Sequence, residues 1–190
     1  FELSYDQKCA IDQINNDLKS NQKMFRLLQG DVGSGKTIIA LLSAYNVINS
    51  GYQVAFMAPT EILARQHYNL ANEIFPNNIK IELISGKSDY KNKKLILEKL
   101  KSNKIDIIFG THAVFQKKVS YKKLGLIIID EQHKFGVNQR KKLSDKGGDE
   151  CDVLLMTATP IPRTLTMTMY GDMDLSIIKE KPKSRKPIKT

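Results

Sequence analysis

The segment Leu27 to Thr37, reading Leu-Leu-Gln-Gly-Asp-Val-Gly-Ser-Gly-Lys-Thr, limits the folds open to this chain more than any other. Gly30, Gly35, Lys36 and Thr37 satisfy G-x-x-x-x-G-K-[ST], with Gly33 and Ser34 inside the loop. The pattern has a mechanism only where a strand feeds a helix. Met24 to Leu28 supply an apolar run before the loop, and Ile38, Ile39, Leu41, Leu42, Tyr45 and Ile48 recur behind it at helical spacing. Glycines allow backbone N–H groups to turn onto phosphate oxygens, and the helix N-terminus adds its positive dipole end. Lys36 is expected to reach the β- and γ-phosphates of a nucleoside triphosphate, and the Thr37 hydroxyl to ligate Mg²⁺.

Strand and helix patterns alternate along the rest of the chain. Ser4-Tyr5-Asp6-Gln7 has the S-x-x-Q form of a capping box, opening a helix with Ala10, Ile11, Ile14 and Leu18 on its apolar face. The strand near 24–29, the glycine loop and a helix over 36–49, ended by Gly51, come next. Gln53 to Ala58 reads as a second strand, and after Pro59-Thr60 comes a helix with Ile62, Leu63, Gln66, Leu70 and Ile74 on one side. Ile79 to Ile84 reads as a strand turning at Ser85-Gly86, and 91–102 as a short amphipathic helix.

Ile105 to Phe109, Leu126 to Ile129 and Val153 to Met156 are almost unbroken Ile/Leu/Val runs, as in central strands of a parallel sheet covered on both faces. These patterns predict a doubly wound α/β domain of the RecA-like P-loop type, with a mainly parallel sheet. Sites in such sheets lie at the carboxyl ends of the strands, where Gly30, Pro59, Gly110, Asp130 and Thr157 all fall. Residues 1–178 are expected to form one lobe. Residues 179–190, with Pro182, Pro187 and little core material, read as a linker leading elsewhere.

Length and composition agree with a single soluble domain: 190 residues, 41% hydrophobic and 26% charged. No apolar run approaches the roughly 18 residues of a membrane span. Phe1-Glu2-Leu3-Ser4 lacks signal-peptide character, and the missing initiator Met points to a piece of a longer chain. Cys9 and Cys151 form no C-x-x-C and read as reduced thiols of a cytoplasmic protein. The net charge of +10 is concentrated in residues 87–104 and 179–190, each +5. Positive charge favours a polyanionic partner. Lysine outnumbers arginine, however, in a way that reflects A/T-rich coding, and the 87–104 cluster reads first as a solvated helix face.

Leu126-Ile127-Ile128-Ile129-Asp130-Glu131-Gln132-His133 has the form of the second half of an ATPase site. A buried strand delivers two adjacent carboxylates at its end. Asp130 is placed to hold Mg²⁺, directly or through water, and Glu131 to accept a proton from the attacking water. Thr157-Ala158-Thr159-Pro160 follows the last apolar run and belongs at the same sheet edge. The hydroxyls of Thr157 and Thr159 are expected to bond His133 or Gln132 and so sense the γ-phosphate. His133 by itself reads as a structural histidine.

In this order the motifs GDVGSGKT, APTEILA, GTH, DEQH and TATPIPRTL resemble a superfamily 2 DNA helicase motor. The longer strings LLQGDVGSGKT, MAPTEILA, IIDEQHKFGVNQR and ATPIPRTL are similar to those of the RecG-type ATP-dependent DNA helicases, over essentially the whole chain. The Mfd-type transcription-repair coupling factors usually read GFGKT and DEEH, so Ser34 and Gln132 favour the RecG type. Lys134 stands where that family has Arg, which puts a bidentate contact at this position in doubt.

The resemblance implies an ATP- and Mg²⁺-dependent motor, expected to be monomeric, that remodels branched or forked duplex DNA. By resemblance this chain is its first RecA-like lobe, and the arginine fingers and a wedge domain lie elsewhere in a parent protein. Gln7 resembles the family's adenine-reading glutamine, a reading that stands beside its capping-box role. Thr60, Ser85, Gly86, Gly110, Thr111 and His112 match DNA-contacting motifs, which grip phosphates without reading sequence. Arg163 is assigned either to coupling of the nucleotide cleft to DNA or the second lobe, or to a surface salt bridge. Two rival readings remain: a P-loop ATPase unrelated to DNA, and a nucleic-acid-binding module with a vestigial nucleotide site.

Overall fold

A strand that is apolar at every position has no face for water, so it has to be covered on both sides. The computed structural model describes residues 2–86, 90–116, 118–131, 151–159 and 173–179, and it builds the sheet those runs require. In chain order the elements are α1 (Tyr5–Lys19), β1 (Phe25–Gly30), α2 (Lys36–Asn49), β2 (Gln53–Met57), α3 (Glu61–Ile74), β3 (Ile81–Ile84) and α4 (Tyr90–Lys101). Then come β4 (Ile107–Gly110), a 3-10 turn (His112–Phe115), β5 (Leu124–Ile129), β6 (Asp152–Thr157) and β7 (Asp174–Ile178). The strands form one sheet in the order β3-β4-β2-β5-β6-β1-β7, and each pairing is parallel.

Alternate residues of each strand enter opposite cores, as the two-residue repeat of a strand demands. Leu28, Val54, Phe56, Phe109, Ile128 and Met156 face α1, α2 and α3. Leu27, Ala55, Ile108, Ile127, Ile129 and Leu155 face α4 and the 3-10 turn. The doubly wound architecture is therefore the expected one, and α2 occupies the predicted span. Gln53–Met57 is one residue shorter than the predicted strand, and the strand expected over Ile79–Ile84 begins at Ile81.

Strand β7 is the element that apolar runs do not announce. It lies at the sheet edge beside β1, pairing Arg26 with Asp174 and Leu28 with Ser176. A buried polar chain joins it to α1. Arg26, only 7% exposed, donates from Nε to Asp17 Oδ2 (2.6 Å) and from Nη1 to Ser176 Oγ (2.9 Å). Ser176 Oγ in turn donates to Gln13 Oε1 (2.6 Å). With its partners in place the buried guanidinium is compensated, and loss of either would leave a desolvated charge.

A second polar anchor sits at the start of β2. The Gln53 side chain is buried and makes four backbone hydrogen bonds. Nε2 donates to the carbonyls of Leu100 (3.0 Å) and Ile105 (2.8 Å), and Oε1 accepts from the amides of Lys122 (2.9 Å) and Lys123 (3.1 Å). The β2–β5 register shifts between Gln53 and Val54, so this amide serves backbone groups at an irregularity of the ladder. Among the described residues no helix is long and apolar enough to cross a membrane.

Two stability measurements follow. Gln53→Leu removes all four bonds at once and is expected to cost roughly 2–4 kcal/mol in urea unfolding, because buried backbone groups lose their partners. Asp152 opens β6, and its Oδ1 accepts from Met24 N (2.7 Å). Burial pushes its pKa up from 3.8 to about 6, against the pull of that bond and of Lys23. The folded state thus holds the proton more tightly, and stability falls as pH rises through that interval. Asp152→Asn should melt above the wild type at pH about 8, with the gain vanishing below pH about 4. A constant difference across the range would refute the assignment.

Candidate functional site at the carboxyl edge of the sheet

The glycine loop runs from the end of β1 at Gly30 to the start of α2 at Lys36. Gly33 (φ 79°) and Gly35 (φ 90°) occupy the left-handed region, where a Cβ is penalised. At Gly35 there is also no room, since a Cβ there would run into the Gln7 amide. Gly35 is the N-cap of α2 and has no side chain with which to cap it. Among the described residues no side chain is shown accepting from the first-turn N–H groups of α2, which is the arrangement that receives anions.

Lys36 is 8% exposed, and its Nζ donates to the carbonyls of Gly30 (2.6 Å) and Asp31 (2.9 Å). Desolvation lowers its pKa, while Glu131, Asp130 and Asp31 oppose that shift. The Ser34 hydroxyl is buried beside Gly30 and, among the described residues, has no hydrogen-bond partner.

Gln7 does two things at once. Its Oε1 accepts from Ser4 N (2.9 Å) while Ser4 Oγ accepts from Gln7 N (3.3 Å), completing the expected capping box. Its Nε2 donates to Ser34 O (2.8 Å), tying α1 to the glycine loop. The sequence pattern foretells the first role, and proximity to the loop makes Gln7 a resident of the site.

Strand β5 delivers Asp130 and Glu131 two strands away from the loop. Asp130 is nearly buried, and its backbone N donates to Met57 O (2.9 Å). Glu131 takes φ 53°, a left-handed backbone on a side-chain-bearing residue. Such conformations cost of order 1–3 kcal/mol and collect at functional sites. Between the two strands lies β6, ending at Thr157. The Thr157 and Thr159 hydroxyls lie 2.9 Å apart, and Thr159 N donates to Thr157 Oγ1 (3.2 Å), so these two hydroxyls bond each other. Gln132, His133, Lys134 and Arg163 fall outside the described residues, as does the 180–190 segment.

His67 is the site residue that motif reading passes over. It comes from the buried face of α3, flanked by Ala64 and Ala71, and its Nε2 lies 2.7 Å from Asp130 Oδ2. The available signal was a histidine at i+3 and i−4 from two buried alanines, on a face that otherwise shuns polar groups.

The remaining predicted residues gather at the ends of β2, β3 and β4. Thr60 Oγ1 caps α3 by accepting from Leu63 N (3.3 Å). Gly86 N donates to Glu61 Oε1 (2.5 Å), and Gly86 O accepts from Lys93 Nζ (2.8 Å). Gly110 O accepts from Ala58 N (2.9 Å), and Thr111 and the exposed His112 begin the 3-10 turn. The carboxyl edge therefore has two halves, one built on β1, β6 and β5 and the other on β2, β4 and β3.

The first half fits a Mg²⁺-bound nucleoside triphosphate by the chemistry of its donors. It offers uncapped N–H groups, one ammonium, a hydroxyl on Thr37 and two carboxylates. No cluster of three or more metal-ligating side chains occurs among the described residues. Mg²⁺ shared with phosphates needs only one or two protein carboxylates, so none is required.

Comparison with known proteins bears on the family and the fold. The family model for DEAD/DEAH box helicases matches residues 4–168. The chain is 54% identical to "ATP-dependent DNA helicase RecG" of Borreliella burgdorferi and 52% identical to the protein of that description from Streptococcus pneumoniae. Each match covers 100% of this chain and 28% of the relative, so the chain spans little more than a quarter of their length. A solved "Structure of RecG bound to three-way DNA junction" superposes with TM-score 0.85 at 44% identity, over 99% of this chain and 25% of that one.

The contact between Gln7 and Gly35 can be isolated by comparison with Gly51. Gly51 is also left-handed (φ 82°) but has open space around its Cα. Gly51→Ala should cost only the backbone term of about 1 kcal/mol. Gly35→Ala should cost about 2–4 kcal/mol in the same denaturation assay, since the Gln7 amide must also move. Equal losses would show that Gln7 does not pack there.

Proposed function

The chain belongs to the DEAD/DEAH box helicase family, and we propose that it is the first, ATP-binding RecA-like lobe of a RecG-type motor that remodels branched DNA. Stalled forks and four-way junctions are the substrates this reading assigns, in replication restart, recombination and repair in the cytoplasm. The observation that carries it is the convergence of Lys36, Thr37, Asp130 and Glu131 on one half of the carboxyl edge. Residues 1–178 constitute the lobe. Residues 179–190 lead toward a second RecA-like lobe, a boundary supported by β7 ending at Ile178; Lys179 N is still tied to the lobe through Asp6 Oδ2 (2.9 Å).

The backbone of Gly33 to Thr37 and the Lys36 ammonium would hold the triphosphate, and Thr37 and Asp130 would hold Mg²⁺. Magnesium, when bound, neutralises charge on the phosphate oxygens. Glu131 accepts the proton of the attacking water, a role suited to a carboxylate fixed by an unusual backbone at a strand end. Gln7 adds recognition of the base to its work on the loop. Gln132, His133, Thr157, Thr159 and Arg163 pass the state of the nucleotide to the rest of the motor.

Across the edge, this reading assigns Thr60, Ser85, Gly86 and Gly110 to His112 to the phosphates of DNA, although Ser85 is buried and Gly86 N is held by Glu61 in this structure. Thr60 Oγ1 is engaged as an acceptor by Leu63 N, so its contribution there is the hydroxyl hydrogen. Arginines supplied by the second lobe account for roughly 10³–10⁵ of the hydrolysis rate in comparable enzymes, so this lobe by itself should turn over very slowly.

The decisive experiment is steady-state ATP turnover by the intact protein, with and without forked DNA. Turnover should rise with DNA and collapse in both Lys36→Ala and Glu131→Gln, while Glu131→Gln retains nucleotide binding. Turnover indifferent to forked DNA would transfer the chain to ATPases unrelated to DNA. DNA binding with no nucleotide binding at all would mark a vestigial site.

A further inference from the structure

His67 is absent from every motif that assigns the nucleotide site, yet it touches the proposed metal ligand. An ionised carboxylate has no hydrogen to give, so in the 2.7 Å contact Nε2 carries the hydrogen and donates to Asp130 Oδ2. The two side chains are 10% and 12% exposed, leaving water little access to replace either partner. The imidazole is also held from behind. Its ring lies 4.8 Å from that of Phe56, which stacks at 5.0 Å on Phe109 in the sheet core. Small neighbours on the helix, Ala64 and Ala71, let the ring lie close to the strand. Packed in this way, the ring presents Nε2 to one oxygen of one residue.

We propose that His67 is a positioning residue for Asp130. By occupying Oδ2 it fixes the carboxylate and leaves Oδ1 to the divalent cation, and so it sets the affinity of the site for Mg²⁺. The inference rests on the nucleotide-site reading above and adds to it a residue from α3. That helix is capped by Thr60, in the other half of the edge, and reaches the metal ligand two turns later.

Leucine at this position would carry a smaller desolvation cost than the imidazole, whose cost is offset here by its bond to Asp130. Hydrogen-bond partners that orient a metal's ligands commonly change metal affinity by 10–100-fold when removed.

The test is binding of a fluorescent ATP analogue to the intact protein, titrated with Mg²⁺, in wild type, His67→Leu, His67→Asn and His67→Gln. Leucine keeps the packing and drops the donor; asparagine keeps polarity but falls short of Asp130. Glutamine carries an N–H at the reach of Nε2. Leucine and asparagine should each raise the half-saturating Mg²⁺ concentration about tenfold or more. Glutamine should stay within about threefold of wild type, and metal-free nucleotide affinity should be the same in all four. If the leucine protein does not fold, asparagine against glutamine decides the matter.

A wild-type midpoint in His67→Asn, or equal shifts in Asn and Gln, would overturn the positioning role and leave the nucleotide site standing. Wild-type protein whose nucleotide binding ignores Mg²⁺ would overturn the site reading, and this proposal with it.

Discussion

Parallel pairing on both edges of β6 is the constraint from which the site follows. Because β6 bonds β5 on one side and β1 on the other, the loop after Gly30 and the acids after Ile129 are two strands from each other, with β6 alone between them. Parallel ladders send every strand out at the same edge, so what each strand delivers last is gathered there. The two apolar cores then fix the sheet from above and below. A one-residue slip of β5 would exchange the residues facing α2 and α3 for those facing α4, so register and site geometry are specified together.

Electrostatics at this edge is a matter of compensation rather than of net charge. Lys36 has been taken largely out of water, and loop carbonyls with three nearby carboxylates offset part of what that costs. The +10 formal charge of the chain has little to do with it. In the 87–104 cluster, Lys99 pairs with Glu82 (3.0 Å) and Lys93 with a carbonyl. This is the behaviour of lysines on a solvated helix face.

Much of the fold was legible because its determinants are local. The glycine loop, the helix behind it, the capping box at Ser4 and the strand-end acids are written within a few residues of one another. What escaped is polar and distant in sequence. Arg26 finds Ser176 across 150 positions, Gln53 finds Lys123 across 70, and His67 finds Asp130 across 63. In each case an isolated polar residue on a buried face requires a partner, but sequence alone does not say which one. Strand β7 was missed for the same reason, since Asp174 and Ser176 interrupt the apolar pattern and the partner of the buried Ser176 is the distant Arg26. Gln7 shows both sides of this divide: its capping bonds span three residues, and its grip on the glycine loop spans 27.

The position of β6 also sets a schedule for the growing polypeptide. Met24 bonds Asp152 across 128 residues, and β1 gains its inner neighbour only through that strand. On a ribosome, the glycine loop is finished long before the strand that aligns it with the acids has been made. Contacts of such long separation are slow to close and leave strand edges exposed in the meantime. A half-made chain can therefore possess the loop and its helix as local structure without possessing a site, and competence arrives late and all at once, when β6 slides between strands made well before it.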